Sequence, residues 1–271
     1  ALNAAELRNP ILSNVASEIR ELATRQRKLF LEGGVFSTKE VNRRKIDDYL
    51  AGLCAIYING IDAKITNRSI KEMYYDENAN KLANKYSREV TRFLKIVGKK
   101  ISVFKRENGL LDLFVLYLEQ IRSGKKLSDG ESFVTDYVNV QIELLRDKTE
   151  HKYRASGRSA TFSELLRARE ITFNKLRNKL IIKNFDASKY FIELDSRRSG
   201  NREEKLIAAK DQGWVTPEGV EIPMEDVLTT EFEIGHIVPH ADGGKTGLSN
   251  FAVQTKTDNR KLGKNLIEIP A

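Results

Sequence analysis

Apolar residues recur at helical spacing through the first two thirds of the chain. Leu12, Val15, Ile19 and Leu22 follow a 3-4-3 spacing, and Val90, Leu94, Val97 and Ile101 a 4-3-4 spacing. Ile46, Leu50, Leu53 and Tyr57 repeat in the same way. Side chains three or four apart share one face of a helix, so each series predicts an amphipathic helix buried along one stripe. Polar or Gly-containing breaks at 32–34, 59–62, 107–109, 123–130 and 154–160 separate about six or seven such helices between Leu2 and Phe185. The last of them, "TFSELLRAREITFNKLRNKLIIKNF", reads as one long basic helix.

The texture then changes. "DASKYFIELDSRRSGN" has no helical stripe and is read as a linker over 186–202. A short helix in "REEKLIAAKDQG" follows, and the Pro and Gly residues of "WVTPEGVEIPMEDV" predict turns and short strands. "FEIGHIVP" alternates apolar and polar residues up to Pro239, as a strand does. "HADGGKTG" is a Gly-rich turn, "LSNFAVQ" a returning strand, and "TKTDNRKLGKN" a short basic helix. The expected fold is therefore mainly α, with a helical domain over 1–185 and a small α+β unit over 203–271.

Composition narrows the setting. The 271 residues are 40% hydrophobic and 31% charged, which suits a globular protein with a sizeable core. The most apolar stretch, "LLDLFVLYLEQI", is too short to span a membrane and is expected to be a buried helix. The single cysteine, Cys54, excludes an internal disulfide and a Cys-rich zinc site, and its apolar setting predicts an inert buried thiol. One cysteine and no signal sequence point to the cytoplasm. The opening "ALNAAELRNP" reads as a cut from a longer protein. The net charge of +8 suits a polyanionic partner, of which nucleic acid is the commonest.

Two of the three histidines, His236 and His240, stand in the strand–turn–strand–helix segment. "GGKT" within it resembles the end of a phosphate-binding loop, but Pro239 occupies the position of that loop's first glycine, which excludes it. The segment instead resembles the HNH (ββα-metal, His-Me finger) nuclease family through His236-Ile-Val-Pro239, Gly243-Gly244, Asn250-Phe251 and Asn259-Arg-Lys261. The two asparagines follow His236 by 14 and 23 residues, and the resemblance covers about residues 203–265.

The resemblance implies a Mg²⁺- or Mn²⁺-dependent DNA endonuclease, with nicking as the expected cut. His236 would be the general base, Asn259 a metal ligand, and Asn250 the residue that fixes the loop and the His orientation. Many members carry Asp or Glu directly before the histidine, where this chain has Gly235. Glu233-Ile-Gly-His236 is similar to a branch with an Asp-x-Gly-His arrangement, so Glu233, with Asn259 and His236, completes the implied metal set. Thr255 and Asp258 stand where many members carry a Cys-x-x-Cys zinc knuckle, and no structural zinc is expected. His240, Lys245, Arg260, Lys261 and Lys264 are the expected DNA phosphate contacts. A non-catalytic DNA-binding or scaffolding module with a degenerate nuclease fold stays open beside this reading. Trp214 is expected to pack beneath the first strand, and His151 to be a solvated helix residue.

The start of the chain adds a second likeness. "LNAAELRN", followed by "NRRKIDDYLAGLCAIY", resembles the helical half that follows the ParB-like nucleotidase domain in GmrSD-type and SspE-like phage-defence proteins. Leu2, Asn3, Glu6, Leu7, Arg8 and Asn9 carry the match. It implies a preceding ParB-like nucleotidase domain and a restriction role. For Arg43, Arg44 and Lys45, a solvated helix start and a DNA contact both remain open.

Overall fold

Asn3, Ser13, Ser37, Thr66, Asp76, Asp129 and Thr161 each accept a backbone N–H at a helix start, so helices begin where capping residues precede apolar stripes. The computed structural model describes residues 3–104, 107–153, 157–168, 171–195, 197, 199–262 and 267. The helices are α1 Ala4–Arg8, α2 Asn14–Glu32, α3 Thr38–Asn42, α4 Lys45–Asn59, α5 Asn67–Tyr75 and α6 Glu77–Val97. They continue as α7 Glu107–Arg122, α8 Gly130–Arg146, α9 Phe162–Arg167, α10 Ile171–Asn184, α11 Arg202–Asp211 and α12 Lys256–Leu262. Three antiparallel strand pairs join β1 Lys125–Leu127 to β4 Phe191–Glu193, β2 His151–Tyr153 to β3 Arg158–Ala160, and β5 Phe232–His236 to β6 Phe251–Thr255. The protein is mainly helical with small antiparallel sheets.

Two compact units emerge: residues 1–122 with 129–190, and residues 123–128 with 191–271. In the first, α2, α4 and α6 bury Val15, Ile19, Leu22, Leu50, Leu53, Tyr86, Val90 and Leu94 together. These include most of the positions whose spacing predicted the helices. Tyr86 buries its hydroxyl as well and donates it to Leu50 O at 2.7 Å. Cys54 is buried in α4, and burial pushes its thiol far up from the usual range. Residues of the N-terminal likeness are tied to α4 and the turn before it; Leu2 lies outside the described residues. Asn3 Nδ2 donates to Arg43 O at 2.8 Å, Glu6 pairs with Arg43, and Arg8 pairs with Asp48 at 2.5 Å. Arg44 pairs with Asp47 at 2.8 Å.

Helices outnumber the expectation: ten lie between Ala4 and Asn184 among the described residues. Short capped turns such as α3 have too few residues to show a stripe. The long last helix is broken into α9 and α10, and Arg177 explains the break. Its buried guanidinium donates to the carbonyls of Leu165 and Ala168 at 2.6 and 2.9 Å, satisfying groups left free where α9 ends. The same guanidinium binds Asp112 of α7 at 2.6 Å, both side chains being 2% exposed. Burial pushes the Asp112 carboxyl up, and Arg177 opposes that rise.

Other breaks also differ. Residues 107–109 open α7 rather than interrupt it. Gly109 is needed there because a Cβ would meet Gln141 Nε2 at 2.5 Å, and its carbonyl accepts Tyr137 Oη at 2.9 Å. Part of the 123–130 break is strand β1. His151 lies in strand β2, not a helix, opposite Ala160. The stretch 186–202 is structured over much of its length: the unit boundary falls between Tyr190 and Phe191, β4 follows, and Asn201 caps α11 in a capping box with Glu204.

Replacing Arg177 with Met leaves Asp112 buried without its partner. The expected loss is about 3–5 kcal/mol, read as a lower urea midpoint for the first unit. The double variant Arg177→Met/Asp112→Asn should recover part of it.

Candidate functional site

The β5–β6 hairpin has two chemically different faces because strand side chains alternate. Its register pairs Phe232 with Thr255, Ile234 with Val253 and His236 with Phe251 on one face, and Glu233 with Gln254 and Gly235 with Ala252 on the other. Phe232, Phe251 and Val253 join Ala208 and Ala209 of α11, Ile222 and Val227 in a core against which Trp214 and Ile234 pack. Trp214 thus packs where the sequence expected it, and does so at a φ of 64°, with its N–H bonded to Ala209 O. Gln212 closes the open edge of β6: Val253 N donates to its Oε1 at 2.6 Å, and its Nε2 donates to Val253 O at 3.2 Å.

Asn250 fixes the loop between the strands. Val238 N donates to its Oδ1 at 2.7 Å, while its Nδ2 donates to Val238 O at 3.0 Å and Lys245 O at 2.9 Å. The chain crosses itself so tightly here that a Cβ on Gly244 would lie 1.8 Å from Val238 O. Gly243 meanwhile turns at φ 89°.

His236 ends β5, half-buried, with Phe251 edge-on at 5.5 Å and the His240 ring at 6.0 Å. Its Nε2 lies 3.2 Å from Thr246 Oγ1. The Thr246 hydroxyl donates to Arg197 O, a carbonyl that can only accept. Nε2 must therefore carry the proton toward Thr246, and in the neutral ring Nδ1 keeps the lone pair. Burial lowers the His236 pKa from its usual 6.5, and the neighbouring His240 lowers it further, with Asp195 opposing. Asp195 builds this side of the site: its Oδ2 accepts Thr246 N at 2.8 Å, its Oδ1 accepts Arg197 N at 2.9 Å, and its carbonyl accepts His240 Nε2 at 2.6 Å. Those two backbone N–H groups hold the carboxyl below its ordinary range. Gly200 lies against this face as well, since a Cβ there would meet Ile234 Cδ1 at 2.5 Å.

Asn259 of α12 lies over the other face. Its Nδ2 donates to Glu233 Oε2 at 2.9 Å. A carboxylate only accepts, so the carboxamide orientation is set and Oδ1 is left turned toward Gly235, 3.0 Å from where a Cβ would stand. Gln254 Oε1 is 3.1 Å from the same point. Lys205 is a cation near Glu233; its ammonium donates to Phe232 O and Thr229 O at 2.7 and 3.2 Å, and burial lowers its pKa while Glu233 opposes that shift. α12 itself starts from Thr255, whose Oγ1 accepts Asp258 N at 3.1 Å and donates to Asp258 Oδ2 at 2.6 Å.

The structure thus brings Glu233 and Asn259 together but sets His236 apart, with Thr246 and Asp195. No hydrogen bond among the described residues links His236 to either of the other two. Lys245, Arg260 and Lys261 are at least partly exposed, whereas His240 is half-buried and already engaged through Nε2. Lys264 lies outside the described residues. Sequence reasoning missed Asp195 and Thr246. The one available signal was Asp-x-Arg in "ELDSRRSGN", an Asx-turn pattern inside what read as a linker. Compared with protein-family models, with curated proteins and with solved structures, the chain matches none.

Asn250→Ala removes three hydrogen bonds from the crossing loop at once. The expected cost is about 1–3 kcal/mol, since part of the loop is solvated. Hydrogen exchange at the Val238 amide should accelerate, and the first unit should melt unchanged.

Proposed function

We propose that this chain is a metal-dependent DNA endonuclease that nicks by hydrolysing phosphodiester bonds. The observation that carries the reading is a half-buried His236, its pKa lowered by burial, whose Nδ1 is free of protein hydrogen bonds among the described residues. It stands one residue beyond Gly235, against which Asn259 Oδ1 lies while Asn259 Nδ2 holds Glu233. Such an imidazole is poised to take a proton from water.

In this reading His236 Nδ1 accepts the water's proton while the water oxygen bonds to phosphorus. The P–O bond to the leaving oxygen breaks with its electron pair, and that oxygen is then protonated. Thr246, held by Asp195 and Arg197, keeps the ring in the tautomer that exposes Nδ1. Asn250 acts at a distance by fixing the loop that carries Thr246. Lys245, Arg260 and Lys261 offer phosphate contacts without reading bases.

Carboxylate and carboxamide oxygens are the donors that Mg²⁺ and Mn²⁺ take, so Glu233 and Asn259 fit such an ion. No group of three or more His, Cys, Asp or Glu side chains forms a metal site among the described residues, so the carboxamides have to contribute. A bound divalent cation would neutralise charge on the phosphate and the departing oxygen. His236, implied by the resemblance as a further ligand, is better placed as the base. The wider role we propose is the effector part of a restriction or phage-defence protein with a ParB-like nucleotidase domain. A non-catalytic DNA-binding module is the second reading, favoured by Gly235 in place of a carboxylate.

His236→Ala should keep DNA binding and lose about 10²–10⁴-fold in nicking of supercoiled plasmid with Mg²⁺ or Mn²⁺. A wild-type chain that binds DNA and never cuts it would establish the second reading. Activity of the wild type should rise with pH along a limb centred below 6.5, because deprotonation creates the base and the folded environment favours the neutral ring. His240→Gln should move that limb upward, because His240 is one of the groups that lower the His236 pKa. A limb that stays in place would separate His236 from the rate.

DNA affinity should be sequence-tolerant and fall steeply with salt. Replacing Lys245, Arg260 and Lys261 with Ala should flatten the slope of log K against log salt by up to about three units. The measurement is a fluorescence-anisotropy titration across ionic strengths, and a slope equal to that of the wild type would remove these residues from the interface.

A further inference from the structure

Gln254 is 0% exposed, and among the described residues neither its Oε1 nor its Nε2 has a hydrogen-bond partner. Buried carboxamides are nearly always satisfied, so an orphan of this kind calls for a ligand. Its position says which. Gln254 faces Glu233 directly across the hairpin, on the face that α12 covers. Its Oε1 and Asn259 Oδ1 converge on the bare α-carbon of Gly235, at 3.1 and 3.0 Å from the point where a Cβ would stand. Asn259 has spent its N–H on Glu233, so what it turns to this spot is an oxygen. Carboxamide oxygens from β6 and α12 therefore meet over one glycine of β5, and the Glu233 carboxylate, bonded to Asn259 Nδ2, adds the only formal charge of the three side chains.

We infer that Gln254 is the third protein ligand, with Glu233 and Asn259, of a hard divalent cation; the inference rests on the cation reading above and names its donor set. Glu233 and Asn259, both half-buried, form the solvent side, and Gln254 forms the floor. Two carboxamides and one carboxylate suit an oxygen-seeking ion such as Mg²⁺ or Mn²⁺, and the donor set holds neither thiolate nor imidazole. Gly235 leaves room for this arrangement. Any side chain there would press on the two carboxamide oxygens, so the strand position nearest the base stays empty and the donors reach in from its neighbours. One carboxylate beside the Lys205 ammonium makes a weak site, and phosphate oxygens of a bound nucleic acid would strengthen it.

The test uses the full chain and Mn²⁺ alone, with binding followed by electron paramagnetic resonance and stability by thermal melting with and without the ion. Wild type should bind Mn²⁺ and melt at higher temperature in its presence. Gln254→Met keeps the side-chain volume and removes the orphan polar atoms. It should melt no lower than wild type without metal, yet bind Mn²⁺ at least tenfold more weakly. Gln254→Glu should bind Mn²⁺ more tightly than wild type and melt lower in its absence, and Gly235→Ala should weaken binding. If Gln254→Met binds like wild type while Asn259→Ala does not, the role of Gln254 is overturned and the cation reading stands. A Gln254→Met chain that melts lower without metal and retains full Mn²⁺ affinity would make Gln254 a structural residue and also overturn it. Should Gln254→Met fail to fold, unchanged affinity in Gln254→Glu overturns the role in its place. A wild type that binds no Mn²⁺, with or without a non-cleavable DNA, removes both the inference and the cation reading.

Discussion

The crossing of residues 238 and 244 governs the second unit. Val238 O occupies the space that any Cβ at 244 would need, 1.8 Å away, and Asn250 clamps Val238 through both its N–H and its carbonyl. That clamp sets where β5 stops and β6 begins, and so it sets the pairing of His236 with Phe251. A slip of one residue would exchange the faces of the hairpin. His236 would then leave Thr246, and Glu233 would leave Asn259. The clamp also delivers Thr246 to the histidine, since Asn250 Nδ2 holds the neighbouring Lys245 carbonyl. A loop of this kind uses a glycine and an asparagine because no larger residue fits the crossing and no apolar one bonds to it.

Around that crossing the hairpin separates two kinds of environment. The His236 face is continuous with the apolar core through Ile234 and Phe251, and Gly200 lies against it. Dry surroundings favour a neutral imidazole, and the nearby His240 adds to this. The Glu233 face holds oxygen donors under α12. In the proposed reading, keeping the base away from the cation has a physical benefit, because an imidazole within reach of a divalent ion would become its ligand and lose its basicity. The alternation of a β-strand provides that separation over a single residue step.

Much of this was legible in the sequence, and the parts that were not share a cause. The stripe of Val15, Ile19 and Leu22 showed α2 because apolar spacing is a local signal, whereas Leu12, read as its first member, lies before the helix and is exposed. The strand–turn–strand–helix order of 232–262 was readable for the same reason, whereas the loop-fixing role of Asn250 came only through the family resemblance. The split between α9 and α10 was hidden, because it depends on Arg177 reaching back to carbonyls of a preceding turn and across to Asp112. β1 and β4 were hidden because three-residue strands form only where a partner from about sixty-five residues away meets them. Asp195 read as linker, since its role lies in bonds to Thr246 and His240, about fifty residues on. Gln254 looked like an ordinary polar residue on a strand. Its burial on the face that α12 covers, without a partner among the described residues, depends on the packing of that helix.

For the proposed chemistry, the position of His236 at the last residue of β5 matters as much as its identity. In mid-strand, a base on one face and donors on the other would be divided by the backbone and could not address one phosphate. His236 is the last residue of β5; Ile237 N still donates to Asn250 O, and from Val238 the chain enters the crossing loop. A phosphodiester laid across that end could meet Nδ1 from one side and the oxygen donors from the other, with adjacent Cα atoms only about 3.8 Å apart. Gly235 then has two duties. It leaves room for Asn259 and Gln254 on its own face, and it keeps the path between base and donors free of a side chain. A carboxylate at that position would supply a stronger cation ligand, but it would also fill the space that the longer Glu233, Gln254 and Asn259 side chains now use. In that reading, giving up the carboxylate leaves coordination positions on the cation that the nucleic acid's own phosphate oxygens would fill.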